Sequence, residues 1–191
     1  MEKNILKKAL TYLSGAVDYA DDDGRGWREK IKKLCQEKGI AMTFLDPCDK
    51  PGEFPMEVAE EKKRTHELRR QGDWAGLTSH FKKIVRIDLR MVDMSEVIIV
   101  KIQRDIHLCG TYHELFSADK QKKPVLVIID GGREECPGWL FGVVEPQYMF
   151  DSEESCVEYL DKVNRGVVET DGKWVLLHKV IEDSDANTVN V

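Results

Sequence analysis

The chain has 191 residues and a formal net charge of −6, from 29 Lys and Arg against 35 Asp and Glu, so a general nucleic-acid-polymer surface is not expected. Its length suits a single domain over 1–191 that buries its core without help from disulfides or metals. No apolar run reaches the roughly 18 residues needed to cross a bilayer, and Met1-Glu2-Lys3-Asn4 leads into no signal-peptide core, so no membrane association and a cytoplasmic location are expected.

Ala9 to Gly15 reads as a first strand. The loop that follows, Ala16 to Gly26, carries Asp18, Asp21, Asp22 and Asp23. Acids ahead of a helix favour its N-terminal dipole, and the same cluster offers oxygen ligands for Mg²⁺ beside a phosphate. Trp27, Ile31, Leu34 and Cys35 recur at helical spacing and Gly39 stops the helix. A second strand is expected over Ile40 to Leu45, and a loop over Cys48 to Pro55 that covers the strand ends.

Glu57 to Arg70 is charged and helical in pattern, and Gly72 interrupts it. Trp74 to Met94 carries Leu77, Phe81, Ile84, Val85, Leu89 and Val92 at helical intervals, which puts Asp88 near the C-terminal end of that helix. Trp74 and Phe81 suit either base stacking or a core or subunit interface. Val97-Ile98-Ile99-Val100 is a β-branched run that predicts a strand buried on both faces. A polar connection, Lys101 to Leu108, leads to Gly110, which can adopt backbone angles that other residues avoid and lets a ligand approach the main chain closely, and to Thr111, expected to cap the next helix. Glu114, three residues on, would close a capping box onto Thr111 or, at the mouth of a sheet, serve a ligand.

Pro124 to Ile129 is another buried strand, Trp139 to Val144 is expected as a fifth, and Ser152 to Asn164 as a helix ended by Gly166. A further strand pattern covers Trp174 to Val180, and the last ten or so residues read as a flexible tail. Alternating strands and helices predict an α/β fold, a doubly wound, flavodoxin-like or Rossmann-like parallel sheet of about five strands with helices on both faces.

Asp88-Leu89 with Met91 to Val100, followed by Gly110-Thr111-Tyr112-His113-Glu114-Leu115, resembles the core pattern of the nucleoside 2-deoxyribosyltransferase family, which includes related nucleotide N-glycosidases. Tyr12-Leu13-Ser14-Gly15 and Trp27-Arg28 are similar to that family's first strand and substrate loop. The resemblance implies that Glu114 attacks the anomeric carbon and forms a covalent glycosyl-enzyme, that Asp88 handles the proton on the nucleobase, and that Tyr12 holds the Glu114 carboxylate in line. It further implies substrate contacts from Gly15, Asp18, Trp27, Gly110 and Thr111, a free nucleobase or water as acceptor, and a homo-oligomer. No cofactor or metal is implied.

One departure bears on substrate choice. Leu108 stands six residues before Glu114, where relatives acting on free nucleosides carry an acid and several acting on 5′-phosphates carry a serine. Asp105, His107, Cys109 or the amides around Gly110 and Thr111 are the candidates to replace that group. The same departure motivates a competing reading, a nucleotide-binding or sensing module without turnover. A flavodoxin-like protein without glycosidic chemistry fits less well, because the Ser- and Thr-rich phosphate loop expected after the first strand is absent. His107-x-Cys109-x-x-x-His113 offers zinc-type ligands but lacks a second ligand pair. Cys35, Cys48, Cys109, Cys136 and Cys156 form no C-x-x-C pair and read as reduced thiols.

Overall fold

The computed structural model describes residues 5–50, 58–168 and 170–174. Five parallel strands form one sheet in the order β2-β1-β3-β4-β5, with β1 at Leu10–Ser14, β2 at Thr43–Leu45, β3 at Val97–Ile102, β4 at Val125–Ile129 and β5 at Met149–Phe150. Among the described residues α1 (Arg25–Glu37), α2 (Val58–Gln71), α3 (Trp74–Met94) and α4 (Cys109–Lys120) connect the first four strands, and α5 (Glu153–Asn164) follows β5. Helices α1 and α5 pack together on one face, while α3 and α4 cover β1 from the other and α2 lies on α3. The expected doubly wound α/β architecture is therefore present. Among the described residues no helix is long and apolar enough to cross a membrane.

The sheet centre forms because β3 and β4 are β-branched at all but Lys101 and Leu126, and every residue in both is buried. In register, Tyr12 lies beside Ile98 and Ser14 beside Val100. This order reverses direction between β1 and β3, and in such sheets the crevice beyond the strand ends at that point is where ligands bind.

Four expectations about elements need correction. Strand β3 runs on to Ile102, into the segment read as a polar connection, because Lys101 is buried in ion pairs with Asp130 at 2.7 Å and Glu153 at 2.9 Å. Strand β2 begins at Thr43 and not at Ile40. The Ile40 and Gly39 amides instead donate to Cys35 and Gln36, closing α1 through a left-handed Gly39 at φ 69°.

The segment Trp139 to Val144 is not the fifth strand. Gly138–Gly142 is a 3₁₀ turn with Trp139 and Phe141 exposed, and the Leu140, Val143 and Val144 amides bond locally, which leaves no ladder to form. The fifth strand is the Met149–Phe150 pair beside Val127 and Ile128.

Finally, α4 starts at Cys109 with Leu108 in the capping position, so Thr111 lies inside the first turn and is not the cap. Trp174 sits in a 3₁₀ turn, and the rest of the strand read at Trp174 to Val180, like the tail, lies outside the described residues. So does the part of the predicted covering loop from 51 to 55.

Candidate functional site

A cavity of about 550 Å³ opens at the carboxyl ends of β1 and β3, within the range typical of small-molecule sites. Its walls come from Gly15 to Tyr19 after β1, Pro47 and Lys50 after β2, Glu61 and Thr65 of α2, an apolar stripe on α3 (Phe81, Ile84, Val85, Leu89) and His107 to Glu114 at the start of α4.

Glu114 is the centre of this arrangement. Strand alternation puts Tyr12 and Ser14 on the same face of β1, the face that α4 covers. From there the Tyr12 hydroxyl donates to Glu114 Oε1 at 3.0 Å, and the Ser14 hydroxyl donates to Oε2. Both carboxylate oxygens are thus engaged by β1, and no capping box with Thr111 forms.

Glu114 is 9% exposed. Burial pushes its pKa up to about 7, against the lowering effect of the Ser14 and Tyr12 hydrogen bonds. Burial, then the neighbouring Glu114 charge, raises Tyr12 well above the usual phenol range, so it remains a donor.

Asp88 stands across the cavity on α3. Burial raises it to about 6, with Lys50 pulling down and Glu61 pushing up. Its Oδ1 is buried and lacks a hydrogen bond, although Lys50 Nζ lies 3.7 Å away in an ion pair. Lys50 spends its hydrogen bonds on Glu61, at 3.0 and 3.4 Å to the two oxygens.

The loop after β1 is held from beneath by Arg28. This fully buried guanidinium donates to the carbonyls of Leu13, Gly15, Ala16 and Gly24 and pairs with Asp46 at 3.6 Å. Asp22 accepts from the Gly24 and Gly26 amides at 2.9 and 2.7 Å, which fixes the entry to α1 and lowers its own pKa. That is the helix-start use of the acidic cluster. Among the described residues no group of three His, Cys, Asp or Glu side chains is placed to hold a metal ion.

Of the residues singled out from sequence, Tyr12, Gly15, Asp18, Asp88, Gly110, Thr111 and Glu114 all border the cavity. Trp27 does not. It packs beneath Gly15, where a β-carbon would come within 2.9 Å of Trp27 Cζ2, and the Arg28 guanidinium stacks 4.8 Å from its ring centre. Its place is thus under the loop and not in the cavity wall.

Gly110 does not adopt a positive φ, and a β-carbon there meets nothing within 4 Å. Its smallness keeps the cavity wall open and is not needed for a turn. Phe81 lines the cavity, whereas Trp74 is 65% exposed and lies away from it. Among the candidates to replace a polar group at Leu108, His107, Cys109, Gly110 and Thr111 border the cavity and Asp105 does not.

Ser14 and Arg28 stand in the motifs quoted from sequence without a role assigned to them, and Lys50 and Glu61 stand in none. Ser14 carries a readable signal, since it lies two residues beyond Tyr12 on a strand. Lys50 and Glu61 carry none, because the surroundings that matter come from separate elements.

No family model and no curated protein matches the chain. Among solved structures, it is similar in fold to a 2-deoxyribosyltransferase from Bacillus psychrosaccharolyticus, at 16% identity and a TM-score of 0.44, covering 71% of this chain and 82% of that one. It is likewise similar to a 2-deoxyribosyltransferase from Leishmania mexicana, at 19% identity and a TM-score of 0.49, covering 81% of this chain and 97% of that one.

Proposed function

We propose that this protein breaks or transfers the N-glycosidic bond of a nucleoside or nucleotide, with Glu114 as the nucleophile. The observation that carries this reading is the setting of Glu114: a buried carboxylate at a cavity floor, held by two hydroxyl donors, with a second carboxyl group, Asp88, on the facing wall.

Cleaving a glycosidic bond builds positive charge at the anomeric carbon, and an anion in a water-poor site stabilises that charge more strongly than it would in bulk water. The Tyr12 and Ser14 hydroxyls bond both oxygens of Glu114. They favour its charged form and restrict its rotation, so the carboxylate is aimed before substrate arrives. In this mechanism the C–N electron pair leaves with the base while a Glu114 oxygen bonds to the anomeric carbon. The departing base takes a proton from Asp88, whose raised pKa keeps part of it protonated near neutrality. A second nucleobase or water then displaces the sugar from Glu114, with Asp88 reprotonated in the reverse sense. The apolar stripe of Phe81, Ile84, Val85 and Leu89 suits the flat face of a base.

A second reading, a nucleotide-binding or sensing module without turnover, is favoured by one observation. Leu108 is buried at the cavity edge, so an apolar side chain stands where the sequence resemblance calls for a polar group.

The deciding experiment incubates the protein with deoxynucleosides, ribonucleosides and their 5′-monophosphates, with and without a second free base, and follows base release and exchange by chromatography. Release without acceptor identifies a hydrolase, and exchange only with acceptor a transferase. Tight binding of a nucleotide with neither would overturn the enzymatic reading.

A further inference from the structure

The group least accounted for by the glycosidic reading is Lys50. Its side chain is only 6% exposed, it borders the cavity, and it stands between two carboxylates, Glu61 on α2 and Asp88 on α3, that are themselves 15% and 16% exposed. One cation thus serves two acids, and it serves them unequally. Both Glu61 oxygens are within hydrogen-bond distance of Nζ, while Asp88 Oδ1 stays at 3.7 Å, an ion pair beyond hydrogen-bond length, and has no hydrogen bond among the described residues.

A buried carboxyl oxygen left unbonded beside a buried ammonium group is costly if Asp88 is ionised and tolerable if it is neutral. The geometry therefore matches the form of the site in which Asp88 carries its proton, the form that donates to the base. An ammonium on a flexible four-carbon stem has three donors to redistribute, so loss of the Asp88 proton would draw it across a short gap.

Resting on the reading of Asp88 as the proton donor to the leaving base, we propose that Lys50 is a positioning residue that is held by Glu61 in the resting enzyme and moves onto Asp88 as that proton departs. The proton goes from Asp88 to the base nitrogen, Asp88 becomes anionic, and Lys50 remains a cation throughout, so charge balances locally without a further reactant. Glu61 sets how readily Lys50 is released. The other charged group acting on Asp88 is Arg28, which favours its ionised form, and the Asp88 charge in turn pushes Glu114 and Tyr12 up. None of these has a hydrogen bond to Asp88 Oδ1.

Two substitutions then have opposite signs. Lys50→Gln removes the cation, so Asp88 holds its proton to higher pH, by about one unit or more for an opposite charge at this range. Glu61→Gln keeps the shape but frees Lys50 for Asp88, so Asp88 loses its proton at lower pH. The readouts are the Asp88 side-chain carboxyl ¹³C titration, identified by its absence in Asp88→Asn, and the alkaline side of the kcat/KM profile. Lys50→Arg is expected to restore much of the wild-type titration.

Opposite displacements of the Asp88 titration support the exchange. No displacement, or displacement of both variants in the same direction, overturns it, whatever happens to the rate. The glycosidic reading fails separately, if Asp88→Asn releases base at the wild-type rate. In that case the carboxyl titration still decides the Lys50 question.

Discussion

The Tyr12 hydroxyl on β1 donates a 3.0 Å hydrogen bond to Glu114 on α4, joining two residues separated by 102 positions in sequence. The bond runs across the junction between β1 and β3 where the sheet order reverses, and it ties the aim of a helix-borne carboxylate to a rigid central strand. A carboxylate held this way loses reactivity if its charge is removed, if its donors are removed, or if the strand beneath it shifts.

Glu114→Gln keeps volume and removes the nucleophile of the proposed mechanism. Base release or exchange is expected to fall by roughly a thousandfold or more, the scale on which loss of an essential nucleophile is felt. Single-turnover assays on the best substrate of the panel check it. A variant with wild-type turnover would exclude a glycosyl-Glu114 intermediate.

Tyr12→Phe and Ser14→Ala each delete one hydrogen bond that favours the charged form of Glu114. The carboxyl pKa is expected to climb further above about 7 in both, by about one unit for each kilocalorie or so of lost charge-assisted bonding. The optimum of the pH–rate profile should move to higher pH and its height should fall, with substrate affinity less affected. A rate loss without that displacement would assign the two hydroxyls to another task.

The wild-type profile itself has a required sign. The proposed mechanism needs Glu114 ionised and Asp88 protonated, and because Glu114 titrates at about 7 and Asp88 at about 6, only a minority of molecules carries both forms at any pH. A narrow bell centred between those values is expected. Measurement of kcat/KM across pH 5 to about 9 tests it.

The same raised pKa values act on stability. A carboxyl group whose folded pKa exceeds its unfolded one stabilises the fold fully below the unfolded value and loses that contribution as pH rises through the folded value. Glu114, raised from 4.5 to about 7, therefore makes the protein less stable between those values as pH increases. Glu114→Gln should melt higher than the wild type at pH 8, by about 2–4 °C for each kcal/mol relieved, with the gap closing near pH 4.5. Thermal melts at the two pH values give the answer, and a gap independent of pH would contradict the linkage.

Two glycines at the cavity should respond differently to alanine. At Gly15 the new methyl group would lie 2.9 Å from the Trp27 ring, so the Trp27 packing must shift, at a cost of about 1–3 kcal/mol. At Gly110 the methyl group enters open space in the cavity wall, so stability should hold and KM should rise. Urea unfolding and steady-state kinetics on both variants separate the effects.

Chain order and hydrophobic pattern were enough to reach the parallel sheet, because a five-residue run such as Val125 to Ile129 has no polar face and must be buried from both sides. Tyr12, Asp88 and Glu114 came from the family resemblance of short motifs and not from the hydrophobic pattern, and all three border the cavity. Local pattern failed where distant partners compensate a residue. Lys101 reads as a loop cation until Asp130 and Glu153 are beside it, and Trp139 to Val144 reads as a strand until its amides bond within a turn. Trp27 read as a substrate contact, yet Gly15 and Arg28 hold it beneath the loop. Only the tertiary structure decided that Ser14 shares Glu114 with Tyr12 and that Lys50 faces Asp88 while bonded to Glu61. Each of these pairs residues from separate elements. The spacing of hydrophobic residues specifies elements and faces, but which charges meet across a cavity depends on how the packed elements bring their ends together.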